Sequence, residues 1–251
     1  MVAHAAAAAL ILRTVFPRAS PARRRALVRW WSAKLLRILR VTAQVEGRPP
    51  PEGGAVMIAA NHVSWLDVFL VSSVRPTRFI AKSEIREWPI AGWIVERAGT
   101  LFVRRAERRE TLRINERVHA VLAQGDCVGL FPEGLTSEGD TLGKFHSSLF
   151  AAAVANRAVV HPAAIRYEDA EGGLCREASY AGDRTFMESL ALIIRQRSIL
   201  ARVAFAAAIE TDGGSRREVA KLAEARVANL LGLESPGRPP GRASDRPSAP
   251  R

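Results

Sequence analysis

The sequence has no hydrophobic run of the length that a membrane-spanning helix requires. Its most apolar stretch, residues 2–12, has about 11 residues and ends at Arg13, whereas a spanning helix needs about 20. The stretch also lacks the basic start of a signal peptide. We therefore predict that the chain does not cross a membrane several times.

Cysteine is scarce as well, because Cys127 and Cys175 are the two cysteines and stand 48 positions apart. This spacing matches no metal-binding pattern, and it implies no disulfide framework. Cys127 lies in an apolar stretch, which is typical of a small buried side chain. We predict that neither cysteine is a nucleophile and that the protein uses no metal and no cofactor.

Acidic residues are few at the start of the chain. The whole sequence has 37 basic and 25 acidic residues, and its net charge is +12. Residues 1–48 hold ten of the basic residues and a single acidic one, Glu46. The excess positive charge is therefore concentrated in the first fifth of the sequence.

This basic region also has the periodicity of an amphipathic helix. Leu27, Trp31, Leu35 and Ile38 follow one another at intervals of four, four and three, which places them on one helical face. Tryptophan beside arginine is suited to the headgroup level of a membrane with anionic lipids. We predict a monotopic or peripheral protein on the cytoplasmic face of the cell membrane. The alternative is a helix that packs on its own domain with a solvated basic face, and both can hold.

The charge also raises the question of nucleic acid, since the sequence pI is about 11.1. The positive charge lies beside tryptophans in an amphipathic helix, and no nucleic-acid-binding motif accompanies it. We therefore predict an anionic membrane surface as the partner and no nucleic acid.

The remainder of the chain alternates between strand and helix patterns, which predicts an α/β sandwich with a largely parallel central sheet flanked by helices. An amphipathic helical segment, residues 1–48, precedes a domain over 49–232, and a polar tail over 233–251 is predicted to be disordered. Strands are predicted near 42–46, 55–60, 78–82, 100–104, 127–132, 159–167 and 201–209. Helices are predicted near 20–40, 67–73, 89–97, 107–124, 144–156, 186–196 and 215–231.

The most informative motif follows the second predicted strand and reads Asn-His-Val-Ser-Trp-Leu-Asp over residues 61–67. A carboxylate at Asp67 that accepts the ring N–H of His62 would fix the tautomer of the imidazole. The other ring nitrogen could then accept a proton from a hydroxyl. The simpler interpretation is that Asp67 caps the next helix.

Three later segments also end in polar residues. Residues 99–105 form a short strand pattern that closes on two arginines, which suit phosphate or a solvated face. Residues 128–137 run from a strand into Pro-Glu-Gly and then hydroxyl residues, which suits an anion site or an ordinary strand-to-helix turn. Residues 159–167 form a buried strand interrupted by Pro162, which indicates an edge, a bulge or a strand end.

Taken together, these four segments resemble the bacterial glycerolipid acyltransferases of the lysophosphatidic acid acyltransferase-like group. That family has Asn-His-x-Ser-x-x-Asp, Gly-x-x-Phe-x-x-Arg, Phe-Pro-Glu-Gly-Thr-x-Ser and Val-x-Pro in this order. The matching positions here begin at Asn61, Gly99, Phe131 and Val160. The resemblance covers about residues 25–210 and makes 49–232 an expected acyltransferase domain.

The resemblance implies a role for each matching residue. His62 would be the general base toward the acceptor hydroxyl, and Asp67 would orient it. The expected acceptor site is formed by Gly99, Phe102, Arg105, Glu133 and Gly134, with Arg105 on the phosphate and Glu133 near the glycerol backbone. Pro162 would belong to the structural and acyl-donor side.

The expected reaction moves a fatty acyl group from acyl-CoA or acyl-acyl carrier protein to a lysolipid. The first expected acceptor is 1-acylglycerol-3-phosphate, and the alternative is a lyso-ornithine lipid or another lysolipid. The sequence departs from the family at Leu135, where threonine is usual, and Arg104 makes the site more cationic. Because the hydroxyl at 135 is lost or moved to Thr136, a non-catalytic membrane-binding relative is a further alternative, and the high pI leaves a nucleic-acid-binding protein as another.

Overall fold

The computed structural model describes residues 7, 10–87, 92, 96, 99–103 and 108–236. Seven strands form one sheet: β1 (Val41–Glu46), β2 (Val56–Ala60), β3 (Arg78–Lys82), β4 (Leu101–Val103), β5 (Cys127–Leu130), β6 (Val159–Glu168) and β7 (Ile199–Phe205). The α-helices are α1 (Pro21–Ile38), α2 (Leu66–Val74), α3 (Arg108–Ala123), α4 (Ala151–Ala155), α5 (Phe186–Arg195) and α6 (Arg216–Leu231). Short 3-10 helices cover Phe16–Arg18, Ser83–Glu87, Ser147–Phe150 and Arg176–Ala178.

The strand order is β1-β7-β6-β2-β5-β3-β4. All neighbouring strands are parallel except β6 and β7, which are antiparallel. The predicted α/β fold with a largely parallel sheet is confirmed. In such a sheet the carboxyl ends of β2, β5 and β6 lie at the same end, so the segments that follow these strands meet there.

Helices cover both faces of the sheet and divide the core into two layers. On one face α1, α2 and α5 enclose a cluster that includes Leu36, Leu66 and Ile193. On the other face α3 and α6 enclose a second cluster that includes Leu122 and Val227. Strand β2 is buried along its whole length, as expected for a strand covered on both sides.

Local sequence signals explain where two of these helices begin. Thr185 and Glu188 form a reciprocal capping box at the start of α5, and Ser215 and Glu218 form another at the start of α6. Each pair satisfies two backbone N–H groups that a helix start leaves without partners. Gly232, with φ of 67°, then ends α6 in a left-handed conformation.

Helix α1 is present, and its predicted apolar face is only partly buried. Leu35 is buried and Trp31 packs edge-on against Phe69 at 5.5 Å. Ile38 is 38% exposed, whereas Leu36 and Leu39 are buried. The buried stripe is therefore rotated relative to the apolar face, because α1 packs against α2 and β1.

The predicted boundary at residue 48 does not separate two structural units, because β1 pairs along its whole length with β7. The helix predicted over 144–156 begins as the 3-10 turn Ser147–Phe150 and becomes α-helical only at Ala151. Most of the helix predicted over 89–97 lies outside the described residues, as do Arg104, Arg105 and residues 237–251. Within the described part of the chain, no helix has the length and hydrophobicity to span a membrane.

Candidate active site

The turn after β2 brings His62 and Asp67 together at the carboxyl end of the sheet. His62 Nδ1 and Asp67 Oδ2 are 2.7 Å apart. The side chain of Asp67 is fully buried, while that of His62 is 22% exposed. Because Nδ1 is occupied by the carboxylate, Nε2 is the ring nitrogen left to exchange a proton with a substrate.

Asp67 is surrounded by hydrogen-bond donors. Its Oδ2 also accepts the backbone N–H groups of Val63 (2.8 Å) and Ser64 (3.0 Å), while Oδ1 accepts the hydroxyl of Tyr167 (2.7 Å). Trp65 occupies the N-cap position of α2, so Asp67 does not cap this helix as the simpler interpretation proposed. The donors compensate the cost of burying a carboxylate and hold it at the imidazole.

Tyr167 is the residue of this site to which the sequence analysis gave no role. It lies on β6, 100 positions from Asp67, and is completely buried. Burial raises the pKa of Tyr167 well above 10, and the negative charge and hydrogen bond of Asp67 add to this effect. Its hydroxyl therefore stays protonated as a donor. The position of Tyr167 near the end of a buried strand was visible in the sequence, but its partner was not.

Glu133, in the turn after β5, holds the same segment from the other side. Its Oε1 accepts the backbone N–H of His62 at 2.8 Å, and its Oε2 accepts that of Gly143 at 2.6 Å. Burial raises the pKa of Glu133, and the two backbone hydrogen bonds oppose this shift. Glu133 thus ties the turn that carries His62 to the segment around Gly143. Contact of Glu133 with the glycerol backbone stays a prediction.

An aromatic side chain fixes the plane of the His62 ring. Phe131 stacks on the imidazole with a centroid distance of 3.9 Å and an interplanar angle of 5°. On the same ring system, Phe79 of β3 stacks against Phe131 at 5.4 Å. The stack leaves the imidazole little freedom to rotate, so Nε2 keeps its direction.

The residues after Glu133 form turns and not the start of a helix. Gly134 adopts φ of 81°, a left-handed conformation that glycine tolerates. Leu135 is 67% exposed, while the hydroxyl of Thr136 donates to the carbonyl of Tyr180 at 2.6 Å. Ser137 N–H donates to the carbonyl of His62 at 2.8 Å. The hydroxyl of Thr136 is therefore engaged in the fold and does not replace the threonine that the family has at position 135.

The segment 99–105, which was predicted to form part of the acceptor site, lies only partly near His62. Phe102 lies on the edge strand β4 opposite Ala81, with the Arg86 guanidinium 6.0 Å from its ring centre. Strand β4 is three strands from β2, or about 14 Å at ordinary strand spacing. Gly99, with φ of 96°, precedes β4 and lies next to the side chain of Arg78. Arg105 lies outside the described residues, so its contact with phosphate stays a prediction.

Pro162 lies inside the sheet, opposite Ala59 of β2. The pairing of β6 with β7 begins only at Ala163, and the carbonyl of Pro162 accepts the N–H of Ala206, the residue after β7. Proline is tolerated in this central strand because it stands where one neighbour ends. Its predicted role on the acyl-donor side stays a prediction.

An apolar groove opens on the face that α1 and α2 cover. It encloses about 710 Å³ of empty space, part of it open to solvent. Leu27, Trp31 and Phe69 line it, together with Phe79. Because Phe79 stacks on Phe131 and Phe131 on His62, the groove extends to within two aromatic rings of the imidazole.

This arrangement defines a class of site: a histidine held by a buried carboxylate at the edge of an α/β sheet, which can accept a proton from a hydroxyl that a substrate supplies. The profile of the acyltransferase family matches residues 42–166. A lyso-ornithine lipid O-acyltransferase of Pseudomonas aeruginosa is 36% identical over 218 residues, which covers 86% of this chain and 83% of the relative. The chain therefore belongs to the acyltransferase family.

Two further comparisons agree with this assignment. A 1-acyl-sn-glycerol-3-phosphate acyltransferase of Neisseria meningitidis is 42% identical over 160 residues, which covers 63% of this chain and 62% of the relative. The crystal structure of the 1-acyl-sn-glycerophosphate acyltransferase PlsC from Thermotoga maritima has a TM-score of 0.61 and 21% identity. It covers 83% of this chain and 78% of that one. This last likeness shows a shared fold.

Proposed function

We propose that this acyltransferase acylates the free hydroxyl of a lysolipid at a membrane surface, with His62 as the general base. The observation that supports this proposal most is the imidazole whose Nδ1 is held by a fully buried carboxylate while its ring remains partly exposed. The hydroxyl of the lysolipid supplies the nucleophile.

In the proposed reaction His62 Nε2 removes the proton of the acceptor hydroxyl as the oxygen attacks the thioester carbonyl. The tetrahedral intermediate then expels the thiolate, so a C–O bond forms and the C–S bond breaks. The imidazolium returns its proton to the thiolate, which leaves as a free thiol. Asp67 stabilises the imidazolium, and general-base catalysis of this kind contributes about 10²- to 10⁴-fold.

The apolar groove supports a fatty acyl chain as the transferred group. Its walls are mainly aliphatic and aromatic, including Leu12, Phe16, Val28 and Phe69. An acyl chain in this groove would bring its carbonyl toward the stack of Phe79, Phe131 and His62. The proposed donor is an acyl-CoA or an acyl-acyl carrier protein, both of which carry the chain as a thioester.

The proposed acceptor is 1-acylglycerol-3-phosphate, with a lyso-ornithine lipid as the second candidate. Arg105 at the position of the family arginine supports a phosphate. The second candidate is supported by the relative from Pseudomonas aeruginosa, whose alignment covers more of this chain than that of the relative from Neisseria meningitidis. Leu135 is exposed and stands where the family has threonine. A less polar acceptor site at this position also supports the second candidate.

The first test is His62→Ala in the full-length protein. We expect the rate of acyl transfer from an acyl thioester to fall by about 10³- to 10⁴-fold, measured as release of free thiol in the presence of each lysolipid. His119→Ala is the matched control, since His119 is exposed on α3, and it should retain full activity. If neither lysolipid is acylated by the wild type, or if His62→Ala changes nothing, the proposal fails.

The substitution Arg105→Gln tests which lysolipid the acceptor site binds. If Arg105 binds phosphate, KM for 1-acylglycerol-3-phosphate should rise by about 10- to 100-fold, as expected for a charge-assisted contact. KM for lyso-ornithine lipid, which has no phosphate, should not change. Arg117→Gln on the exposed side of α3 is the matched control. An equal rise for both acceptors would contradict the phosphate assignment.

A further inference from the structure

Two helices end side by side at one end of the sheet. Strands β1 and β7 are parallel and in register from Val41 opposite Ile199. Helix α1 leads into β1 and α5 leads into β7, so their last turns are neighbours. The backbone confirms this, because Ile199 N–H donates to the carbonyl of Arg40 at 3.1 Å.

Each helix end has the same combination of exposed side chains. Ile38 is 38% exposed and Ile194 is 50% exposed. Arginines flank both isoleucines and are exposed themselves. We call this set the helix-end surface; it consists of Arg37, Ile38 and Arg40 from α1 and its turn, and Ile194, Arg195 and Arg197 from α5 and its turn.

The helix-end surface carries four positive charges and no negative one. Residues 30–45 and 189–209 contain no aspartate or glutamate. Across the sheet, Glu168 lies opposite Leu200, but its carboxylate is bound by Arg202 at 2.9 Å and is also near Arg166. In the turn after β6, Asp169 and Glu171 also lie near the start of β7, so this edge of the sheet holds negative charge as well. The helix-end surface itself is cationic, and its four arginines surround two apolar side chains.

The solvent-facing sides of α1 and α5 also carry exposed apolar side chains, and on α1 a lysine accompanies them. On α1, the exposed Trp30 and Lys34 lie eight and four positions before Ile38, on the same helical side. On α5, Met187 is 68% exposed and lies seven positions before Ile194. Apolar side chains in line with arginines or a lysine are typical of a helix that rests in a membrane interface.

The helix-end surface lies at the same end of the sheet as the catalytic turn. The Asn61 side chain, next to His62, bonds to the backbone of Ile165 on β6. Strand β6 continues in the same direction to Glu168, whose partner is Leu200. The start of β7 therefore projects past the level of His62, and α1 and α5 cover the same face as α2.

We propose that the helix-end surface docks the enzyme on an anionic membrane, with the four arginines on lipid phosphates and the two isoleucines in the interface. This inference rests on the proposed function, which places the acceptor in a membrane. It adds α5 to the basic N-terminal helix as a second contact, and it turns the catalytic end of the sheet toward the lipid.

Arginines at the end of a helix also stabilise the helix dipole. The helix dipole alone can explain why an arginine lies near the end of either helix. It does not explain why exposed isoleucines accompany the arginines at both ends, since an exposed isoleucine gains nothing from the dipole. A surface that contacts lipid accounts for both features.

The test measures binding of the full-length protein to phosphatidylglycerol vesicles and phosphatidylcholine vesicles by cosedimentation at one fixed salt concentration. The double variant Arg195→Gln, Arg197→Gln removes two charges from α5 and leaves the basic N-terminal segment intact. Each arginine at an anionic surface contributes about fivefold. We therefore expect about 25-fold weaker binding to phosphatidylglycerol vesicles, with no change for phosphatidylcholine.

The matched control is Arg216→Gln, Arg217→Gln, which removes two exposed charges from the start of α6 on the opposite face of the sheet. It should bind anionic vesicles nearly as well as the wild type. Equal losses in the two double variants would overturn the proposal, because they would show a response to net charge alone. Ile194→Ser gives a second measurement and should weaken binding without any change in charge.

Activity on a lysolipid dispersed in neutral detergent separates this inference from the proposed function. We expect Arg195→Gln, Arg197→Gln to keep wild-type activity there and to lose it on anionic vesicles. If the wild type acylates no lysolipid in either format, the proposed function fails, while vesicle binding still tests the surface. If the variant loses activity equally in both formats, the role of α5 is not docking and the inference fails.

Discussion

Two carboxylates hold His62, but they do so in different ways. Asp67 lies in the first turn of α2, five positions after His62, is fully buried and accepts four hydrogen bonds. Glu133 comes from 71 positions away, is only partly buried and accepts two backbone N–H groups. One carboxylate acts on the imidazole directly, and the other acts on the backbone that carries it.

Together the two carboxylates satisfy three consecutive backbone N–H groups. His62 donates to Glu133, while Val63 and Ser64 donate to Asp67. These three N–H groups lie outside regular secondary structure, so they depend on side chains for hydrogen-bond partners. The difference between the two residues teaches that a carboxylate holds each part of the turn after β2, and that only Asp67 also contacts the imidazole.

Asp67→Asn should lower kcat/KM more than a substitution of Glu133 or Tyr167. An asparagine oxygen can still accept from His62 and from the two backbone N–H groups, and its NH₂ can donate to the hydroxyl of Tyr167. The fold should therefore survive, while the charge that stabilises the imidazolium is lost. We expect kcat/KM to fall by about 10²- to 10⁴-fold with little change in the thermal unfolding midpoint.

Glu133→Gln should have a smaller effect of a different kind. Glutamine can accept from only one of the two N–H groups, and its NH₂ then faces the other donor, which costs about 1–3 kcal/mol. We expect kcat/KM to fall by about 10- to 100-fold. Glu138→Gln, at an exposed position in the same segment, is the matched control. If Glu133→Gln is as inactive as Asp67→Asn, the proposed division of roles is wrong.

The pKa of Glu133 predicts how this substitution affects stability. Because burial raises the pKa in the fold, the ionised carboxylate opposes folding at neutral pH, and this cost disappears as the pH falls through the raised pKa. Glu133→Gln removes that contribution. Urea unfolding at several pH values should therefore show a weaker gain of stability toward acid in the variant than in the wild type.

The smallest effect should come from Tyr167→Phe, which removes one donor from Asp67. The free energy of unfolding should fall by about 1–3 kcal/mol, because Oδ1 is left buried without a partner, and kcat/KM should fall by about 10-fold. We expect this loss in kcat and not in KM, because Tyr167 contacts Asp67 and Asp67 contacts the imidazole.

Tyr180→Phe is the matched control for Tyr167→Phe. Tyr180 contributes its backbone to contacts with Val63 and Thr136, so loss of its hydroxyl should leave kcat unchanged. If Tyr167→Phe lowers stability but leaves kcat unchanged, Tyr167 is a structural residue and does not position the His62–Asp67 pair.

The sequence predicted the strands and most helices closely because their signals are local. Alternation of apolar runs with turns gave β2, β3 and β6 within about one residue of their observed bounds. The sequence left open which residues of α1 are buried, since Ile38 and Leu36 are both apolar and only the position of α2 decides which of them is buried. The start of α4 was missed because a 3-10 turn leaves no distinct pattern.

The His62–Asp67 pair could be predicted from the sequence because two side chains five positions apart, between a strand and the first turn of a helix, are within reach of each other. The roles of Tyr167 and Glu133 could not, because both depend on which strands become neighbours: β6 and β5 stand on either side of β2 only in the folded sheet. The sequence by itself determined the kind of chemistry, the fold class and the basic first helix. The tertiary structure decided what surrounds the histidine, since hydrogen bonds between distant segments form only after long-range strand pairing brings them together.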